Sequence, residues 1–214
     1  MAKNTPQKSL KDRVVDAALA LAAEEGWNDV SFEQIAAAAQ ADMAEAREYF
    51  DDKTDILVAY GRRVDRQVLE SASFDDENNM STREKLFDLL MERFDVLNEN
   101  REAIVSILSS FRGDPKQAVV SLPHLAKSMT RTMEAAGVDT EGAAGAIKVT
   151  GLIGVYLYVV RTWKEDESAD MARTMAALDK ALDNAEMAAN SFSDGSLLSG
   201  FSSLCNRFTN KENE

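Results

Sequence analysis

Histidine and cysteine, the side chains most often used for acid–base, nucleophilic or metal chemistry, occur once each in this chain, as His124 and Cys205. A single histidine excludes the H-E-x-x-H spacing and any other paired-histidine metal site, and a Ser-His-Asp triad is open only if His124 is its base. A single cysteine forms no internal disulfide. We therefore predict no catalytic residue, no metal, no cofactor and no enzymatic activity, in a cytoplasmic protein.

Negative charge is the chemical property that this chain has in excess. Its 214 residues carry 37 acidic and 24 basic side chains, for a net charge of −13. Because lysine and arginine supply most of the attraction to phosphates, this balance argues against a general affinity for nucleic acid. The excess extends to the start of the chain, where residues 1–60 hold twelve acids and six bases.

The elements that must position these side chains are predicted to be helices throughout. Proline and glycine are scarce, and the apolar residues recur with helical spacing. The predicted helices are Ser9–Glu25, two short ones opening at Ser31 and Asp42, a fourth capped by Asp52 with Asp55, then Thr82–Asn98, Arg101–Phe111, Lys116–Ala136, bent by Pro123, Thr140–Glu165 and Ser168–Ala189. The acidic stretch Asp75–Ser81 is the best boundary between two domains.

The two short helices form a helix-turn-helix candidate. Ser31 with Gln34, and Asp42 with Glu45, have the spacing of capping boxes, in which each side chain satisfies the other's backbone amide. The two helices are separated by a turn at Gln40–Asp42.

Several segments resemble, in order and spacing, the DNA-binding domain of TetR/AcrR-type regulators. They are Arg13-Val-Val-Asp-Ala-Ala, Glu25-Gly26-Trp27, Ser31-Phe-Glu-Gln-Ile35-Ala36 and Tyr49-Phe50-Asp-Asp-Lys53-Thr-Asp-Ile56-Leu57. The resemblance implies an all-α, TetR-like fold with a helix-turn-helix domain at 1–60, a helical ligand-binding and dimerisation domain at 61–190, and a linker with a C-terminal helix at 191–214. It also implies a homodimer that represses transcription and whose DNA binding responds to a small apolar or lipid-like ligand.

Carried over by position, the resemblance makes Met43–Phe50 the recognition helix. The implied DNA-binding residues are Gln34, Met43, Ala44, Glu45, Arg47, Glu48, Tyr49 and Lys53. Among them, Tyr49 occupies the phosphate-contacting aromatic position, and Lys53 is the basic residue that caps the next helix. Three positions depart from the family pattern: Gln40 stands where glycine is common in the turn, Glu45 replaces a small hydroxyl residue, and Arg47 replaces an aromatic one. A non-glycine residue in a left-handed turn costs roughly 1 kcal/mol.

The second domain holds the predicted ligand and dimer sites. The pocket candidates are Phe87, Leu90, Met91, Phe94, Ile107, Leu108, Phe111, His124, Met129, Met133, Ile153 and Tyr156, for which plain core packing is the alternative. His124 is expected in the core or at the pocket rim. The predicted dimer interface comprises Gly151, Val155, Met171, Met175, Leu178 and Leu182, with packing inside one subunit as the alternative.

A second resemblance supports a different function. The segment Trp163-Lys-Glu-Asp166-Glu-Ser168-Ala-Asp170, followed by Thr174, is similar to the end of the ubiquinone-biosynthesis accessory proteins. That resemblance implies a TetR-fold protein that has lost DNA binding and binds a lipid or quinone precursor. The amphipathic stripe of 197–208 is then a peripheral membrane contact, or else a terminal helix docked on its own core. The apolar stretch Gly142–Val160 is interpreted as a buried helix rather than a membrane span.

Overall fold

The computed structural model describes residues 8–72, 80–113 and 115–193, with the backbone alone at 115, 116, 118 and 190–193. Every regular element within these ranges is an α-helix, which agrees with the predicted all-α class. The helices are α1 (Leu10–Glu24), α2 (Phe32–Ala38), α3 (Met43–Arg47), α4 (Lys53–Ser71), α5 (Thr82–Asn98), α6 (Arg101–Ser110), α7 (Pro115–Ala135), α8 (Gly142–Glu165) and α9 (Ala172–Ser193).

Side-chain caps fix where the short N-terminal helices begin. The capping boxes of Ser31 with Gln34 and of Asp52 with Asp55 are both formed, as predicted. The third predicted box is incomplete, because Asp42 caps α3 through the amide two residues on and no reciprocal bond returns to it. The helix-turn-helix is therefore set by local hydrogen bonds that the sequence pattern predicts well.

The third helix is shorter than predicted. It ends at Arg47, whereas the sequence pattern extends it to Phe50. The reason is a tightened last turn, in which the Tyr49 amide donates to the Ala46 carbonyl three residues back, at 3.2 Å. Tyr49 consequently lies just beyond the helix, on an exposed turn.

Gln40 adopts the left-handed conformation, with φ of 53°, in the turn between α2 and α3. This conformation is the one in which a Cβ approaches the following carbonyl oxygen, so a glycine is favoured there. Gly26, with φ of 92°, follows α1 in the same region of backbone space, directly after the predicted helix end at Glu25.

Gln40→Gly is therefore expected to raise the free energy of unfolding by about 0.5–1 kcal/mol, since the relief of left-handed strain exceeds the entropy that glycine adds to the unfolded chain. Urea denaturation at one protein concentration measures the change. Gln40→Ala keeps the Cβ and serves as the matched control. Equal stabilities of the two variants would contradict the strain argument.

The core places α4 between the two halves of the chain. It packs on α1 and also on α5 and α7, while α9 packs along α8 and on α5. The helix thus runs through residue 60, where the resemblance implies the domain boundary, and ends at Ser71.

Residues 73–79 and the amphipathic stripe of 197–208 lie outside the described residues. The predicted bend at Pro123 falls inside α7, which continues through it as one helix.

The apolar stretch predicted as a buried helix is α8. By length and composition α8 would be able to cross a membrane, with a mean hydropathy of 1.7, and it is the only described helix that meets this criterion. One face of it packs in the bundle against α7 and α9, with Val159 and Trp163 fully buried. The same test is passed by core helices of soluble proteins. Much of the opposite face is exposed.

Candidate nucleic-acid interface

The α2–turn–α3 unit presents a short, exposed surface. Ala46 of α3 is buried against the N-terminal core, and the flanking Ala44, Glu45, Arg47 and Glu48 are exposed. Met43 is half-buried, and Tyr49 has 55 % of its surface exposed. Six of the eight implied DNA-binding residues thus lie together on or beside α3.

The other two implied contacts belong to different elements. Gln34, on α2, is exposed but completes the Ser31 capping box, and its amide nitrogen donates to Glu25 at 3.2 Å. Lys53 opens α4 and is half-buried. The structure brings the α3 residues together and leaves the DNA-binding role of all eight as a prediction.

Arg47 is held against its own domain. Its guanidinium donates to the Asp51 carbonyl oxygen and stacks over Phe32, with 4.1 Å between the guanidinium carbon and the ring centroid. These contacts fix the side chain along the surface of the domain. To extend away from the domain surface toward a phosphate, the Arg47 side chain would have to leave these contacts.

Lys53 is held in the same way. Its ammonium donates to the carbonyls of Trp27 at 2.6 Å and Val30 at 2.5 Å, and it lies 4.5 Å from the centroid of the Trp27 ring. Burial lowers the pKa of Lys53, an effect that the nearby Asp29 carboxylate opposes. Lys53 therefore ties the α1–α2 turn to α4 in this structure.

The electrostatic balance of the helix-turn-helix region is strongly negative. Residues 14–60 contain eleven acidic side chains and two basic ones, and those two are Arg47 and Lys53. Both line an open depression of about 450 Å³ beside α3, together with Glu33 and Asp52. A polyanion approaching this surface meets exposed carboxylates and two cations already engaged with the protein.

The N-terminal domain is coupled to the helical domain through α6. The backbone amide of Trp27 donates to the Ser106 hydroxyl of α6 at 2.9 Å, across 79 residues of sequence. The Trp27 ring is buried to 2 % exposure, and α1 packs on α6. The hydrogen bond therefore joins α6 to the turn that Lys53 also contacts.

The predicted ligand-pocket residues are distributed between the core and its margin. Fully or nearly fully buried are Leu90, Phe94, Ile107, Met129 and Met133; half-buried are Phe87, Met91, Leu108, Phe111, Ile153 and Tyr156. His124 lies on the exposed side of α7, away from the core position that the sequence allowed. A stack of Phe94 on Tyr156, with 5.7 Å between ring centroids, connects α5 to α8.

A buried ionic cluster lies among these residues and was missed by the sequence interpretation. Asp65 of α4 accepts hydrogen bonds from Arg93 of α5 and from Ser128 and Arg131 of α7. The side chains of Asp65 and Arg93 are each 6 % exposed. The signal available in the sequence was the presence of charged residues on the apolar stripes of α4 and α5, where core side chains are expected.

Most of the predicted dimer-interface residues pack within one protomer. Val155, Met171, Leu178 and Leu182 are buried, because the seam of α9 lies along α8 and α5 of the same chain. Gly151 and Met175 remain exposed. The dimer itself remains a prediction.

Gly151 belongs to an exposed face of α8. Ile147, Gly151, Gly154 and Tyr158 follow one another at spacings of four, three and four, and all are exposed. A Cβ placed at Gly151 or Gly154 would meet no atom within 4 Å, so both glycines open outward. This face, which we call the α8 outer face, has no partner in the described protomer.

The segment similar to ubiquinone-biosynthesis accessory proteins has a structural role. The Asp166 carboxylate accepts hydrogen bonds from the amides and hydroxyls of both Ser168 and Thr174. Arg101 of α6 donates to the Trp163 and Asp166 carbonyls at 2.8 and 2.7 Å. The motif therefore builds the α8–α9 turn, which accounts for its residue types without a lipid.

Metal-binding chemistry has no visible basis in the described ranges. No group of three or more histidine, cysteine, aspartate or glutamate side chains there is arranged to hold a metal ion.

Comparisons with known proteins show which family model and which solved structures this chain resembles. Residues 14–60 match the model of the bacterial regulatory proteins of the tetR family. No curated protein sequence matches the chain. Among solved structures, a TetR transcriptional regulator from Nitrosomonas europaea ATCC 19718 is 24% identical, with a TM-score of 0.68, over 84% of this chain and 99% of that one. A TetR transcriptional regulator from Rhodococcus sp. RHA1 is 16% identical, with a TM-score of 0.60, over 82% and 94%. The predicted TetR-like fold is confirmed.

Proposed function

We propose that this chain, whose N-terminal domain belongs to the tetR family of bacterial regulatory proteins and whose fold is that of TetR regulators, is a cytoplasmic transcriptional regulator. In this proposal the protein binds DNA as a homodimer, with α3 of each protomer in the major groove. A small ligand bound by the helical domain changes that affinity. The proposal depends on one observation above all, the exposed α2–turn–α3 unit inside the matched segment.

The ligand response is supported by the connection between the two domains. The Trp27–Ser106 hydrogen bond and α4 both join the helix-turn-helix to helices that carry pocket candidates. Movement of these helices on ligand binding would shift α3 relative to its partner in the dimer. The ligand-free and ligand-bound states would then differ in how α3 contacts DNA, and an allosteric response depends on such a difference.

A second function is favoured by the electrostatics of the same domain. With eleven acidic side chains against two basic ones, both of which contact their own domain, residues 14–60 lack the excess of positive charge that DNA binding normally uses. In that case the chain is a TetR-fold protein that binds a lipid or quinone precursor without reading DNA. The two functions predict opposite results in one measurement.

That measurement is fluorescence anisotropy of labelled fragments from the region upstream of the gene, titrated with the full-length protein at low and moderate salt. A regulator binds a fragment, and its affinity falls steeply as the salt concentration rises. Absence of binding to every fragment at low salt would contradict the regulator and leave the lipid-binding alternative.

Glu45→Gln with Glu48→Gln tests whether α3 faces the DNA. Removing two exposed negative charges per protomer is expected to raise non-specific DNA affinity about tenfold at low salt, because like-charge repulsion is relieved. The same anisotropy titration measures it. The matched control is Glu70→Gln with Glu186→Gln, which removes the same charge from exposed positions on α4 and α9. An equal gain in the control would place the α3 acids outside the interface.

A further inference from the structure

The helical domain contains a buried cluster of charged side chains that the proposed DNA-binding function does not use. Asp65 lies at its centre, 2.6 Å from Arg93, 3.0 Å from Arg131 and within hydrogen-bond distance of Ser128. Three helices, α4, α5 and α7, each contribute to it. Burying charges in this way is costly, so the arrangement calls for an explanation in terms of stability or of binding.

The cluster has more positive charge and more donors than Asp65 can satisfy. One Asp65 oxygen accepts from Arg93 and Ser128, and the other accepts from Arg131. Two guanidinium groups therefore share a single carboxylate. Arg93 as a whole is only 5 % exposed, and its Nε is buried without a hydrogen-bond partner among the described residues. An unsatisfied buried N–H is destabilising, and an acceptor placed beside it would remove that cost.

The surroundings of Arg93 divide into a wet side and an apolar side. Arg131 has 46 % of its side chain exposed and so opens the cluster to solvent. On the other side, the guanidinium carbon of Arg93 lies 5.9 Å from the Tyr156 ring centroid, and Tyr156 stacks on Phe94. A molecule with an anionic head and an apolar body would match this division.

We propose that this cluster is the head-group site of an organic carboxylate, whose anion pairs with Arg131 and the free N–H of Arg93 and whose apolar body lies along Tyr156 and Phe94. Guanidinium groups favour carboxylates because their planar donors match the two oxygens of the anion. The inference rests on the proposed role of the helical domain as a ligand receptor, and it names the chemical class of that ligand. Asp65 is a positioning residue, which holds both guanidiniums in place.

The test measures binding to the full-length protein without DNA. Octanoate and 4-butylbenzoate are titrated by isothermal calorimetry, and octanol and 4-butylbenzyl alcohol serve as uncharged counterparts of the same apolar bodies. We expect at least one acid to bind, and its alcohol to bind at least about tenfold more weakly, since the charge-assisted bonds are lost. Failure of both acids to bind, or equal binding of acid and alcohol, would overturn the inference.

Substitutions identify the site. Arg131→Gln, at a half-exposed position that leaves the Asp65–Arg93 pair intact, is expected to weaken acid binding about tenfold or more and to leave alcohol binding unchanged. Arg66→Gln removes the same charge from an exposed position on α4 and should change neither. Because Arg93→Gln alone leaves Asp65 short of a partner, the double variant Asp65→Asn with Arg93→Gln is the fallback, and it should bind the acids no better than the alcohols. Unchanged acid binding in Arg131→Gln would show that the acid binds elsewhere.

The outcome is separable from that of the DNA experiment. Acid binding without DNA binding would contradict only the regulator, and DNA binding without acid binding would contradict only this inference. An acid that binds and changes the anisotropy titration would support both.

Discussion

Asp166→Ala is expected to lower the free energy of unfolding by about 3 kcal/mol, one of the two largest effects that we predict for this chain. The Asp166 side chain accepts four hydrogen bonds, from the amides and hydroxyls of Ser168 and Thr174, and the residue is 2 % exposed. Alanine would leave these donors without an acceptor at the α8–α9 turn, where Thr174 is fully buried. Urea denaturation followed by tryptophan fluorescence, at one protein concentration, measures the loss.

Glu167→Gln is the control for this experiment. Glu167 is adjacent to Asp166 but exposed, so its substitution removes a negative charge from the same turn and is expected to change stability by less than about 0.5 kcal/mol. If Glu167→Gln lowered the free energy of unfolding as much as Asp166→Ala does, the lost charge rather than the lost hydrogen bonds would explain the effect.

The stabilisation that the Asp166 carboxylate provides should also be visible as a dependence of the free energy of unfolding on pH. Burial acts to raise the pKa of Asp166, but the hydrogen bonds from Ser168 and Thr174 outweigh it and hold the pKa well below its ordinary value. A carboxylate with a lowered pKa in the folded state stabilises the protein fully above its unfolded pKa of about 4, and this stabilisation is lost as the pH falls below that value. We expect wild-type stability to fall more steeply below about pH 4 than that of Asp166→Asn. Parallel curves would contradict the assignment.

Gly151→Glu with Gly154→Glu is expected to convert the proposed homodimer into monomers, which is the second large effect. A Cβ added to either glycine would have no atom within 4 Å of it, so a longer side chain fits in the protomer and the fold should be kept. At a dimer interface formed by the α8 outer face, each substitution would bury carboxylates without partners. The dissociation constant should then rise at least about a hundredfold. Light scattering coupled to size-exclusion chromatography measures the mass.

Gly61→Glu is the matched control for the dimer experiment. Gly61 also lies inside a helix, α4, where an added Cβ would meet no atom within 4 Å, and its substitution adds the same charge away from α8. We expect it to remain a dimer. If the α8 double variant also remains a dimer, the α8 outer face is not the interface.

The elements that the sequence predicted well are those determined by neighbouring residues. The starts of α2 and α4 followed from the Ser31–Gln34 and Asp52–Asp55 spacings, since a capping box needs only residues three apart. The turn at Gln40, where the family resemblance has a glycine, does have a left-handed backbone.

Features that depend on distant parts of the chain were not predicted. Lys53 occupies its implied position, but its ammonium binds two carbonyls of the α1–α2 turn, 26 and 23 residues away. Asp65 and Arg93 are 28 residues apart in sequence and join α4 to α5. Only the presence of charged residues on apolar helix stripes suggested this pair. The seam of α9 was correctly identified as a packing surface, yet periodicity alone does not distinguish a partner in the same chain from one in a second copy.

The continuity of α4 limits how a protein of this architecture can be rearranged. A fragment or a recombination point placed at Tyr60 would cut α4 in its middle and separate Ile56 from Val64 and Val68, which are all buried on the same helix. The helix-turn-helix half is therefore not an interchangeable module that ends at residue 60, where the match to the family model ends. An exchange of helix-turn-helix segments between related proteins has to include all of α4, to Ser71. The exchanged segment then contains Asp65, which belongs to the proposed ligand site.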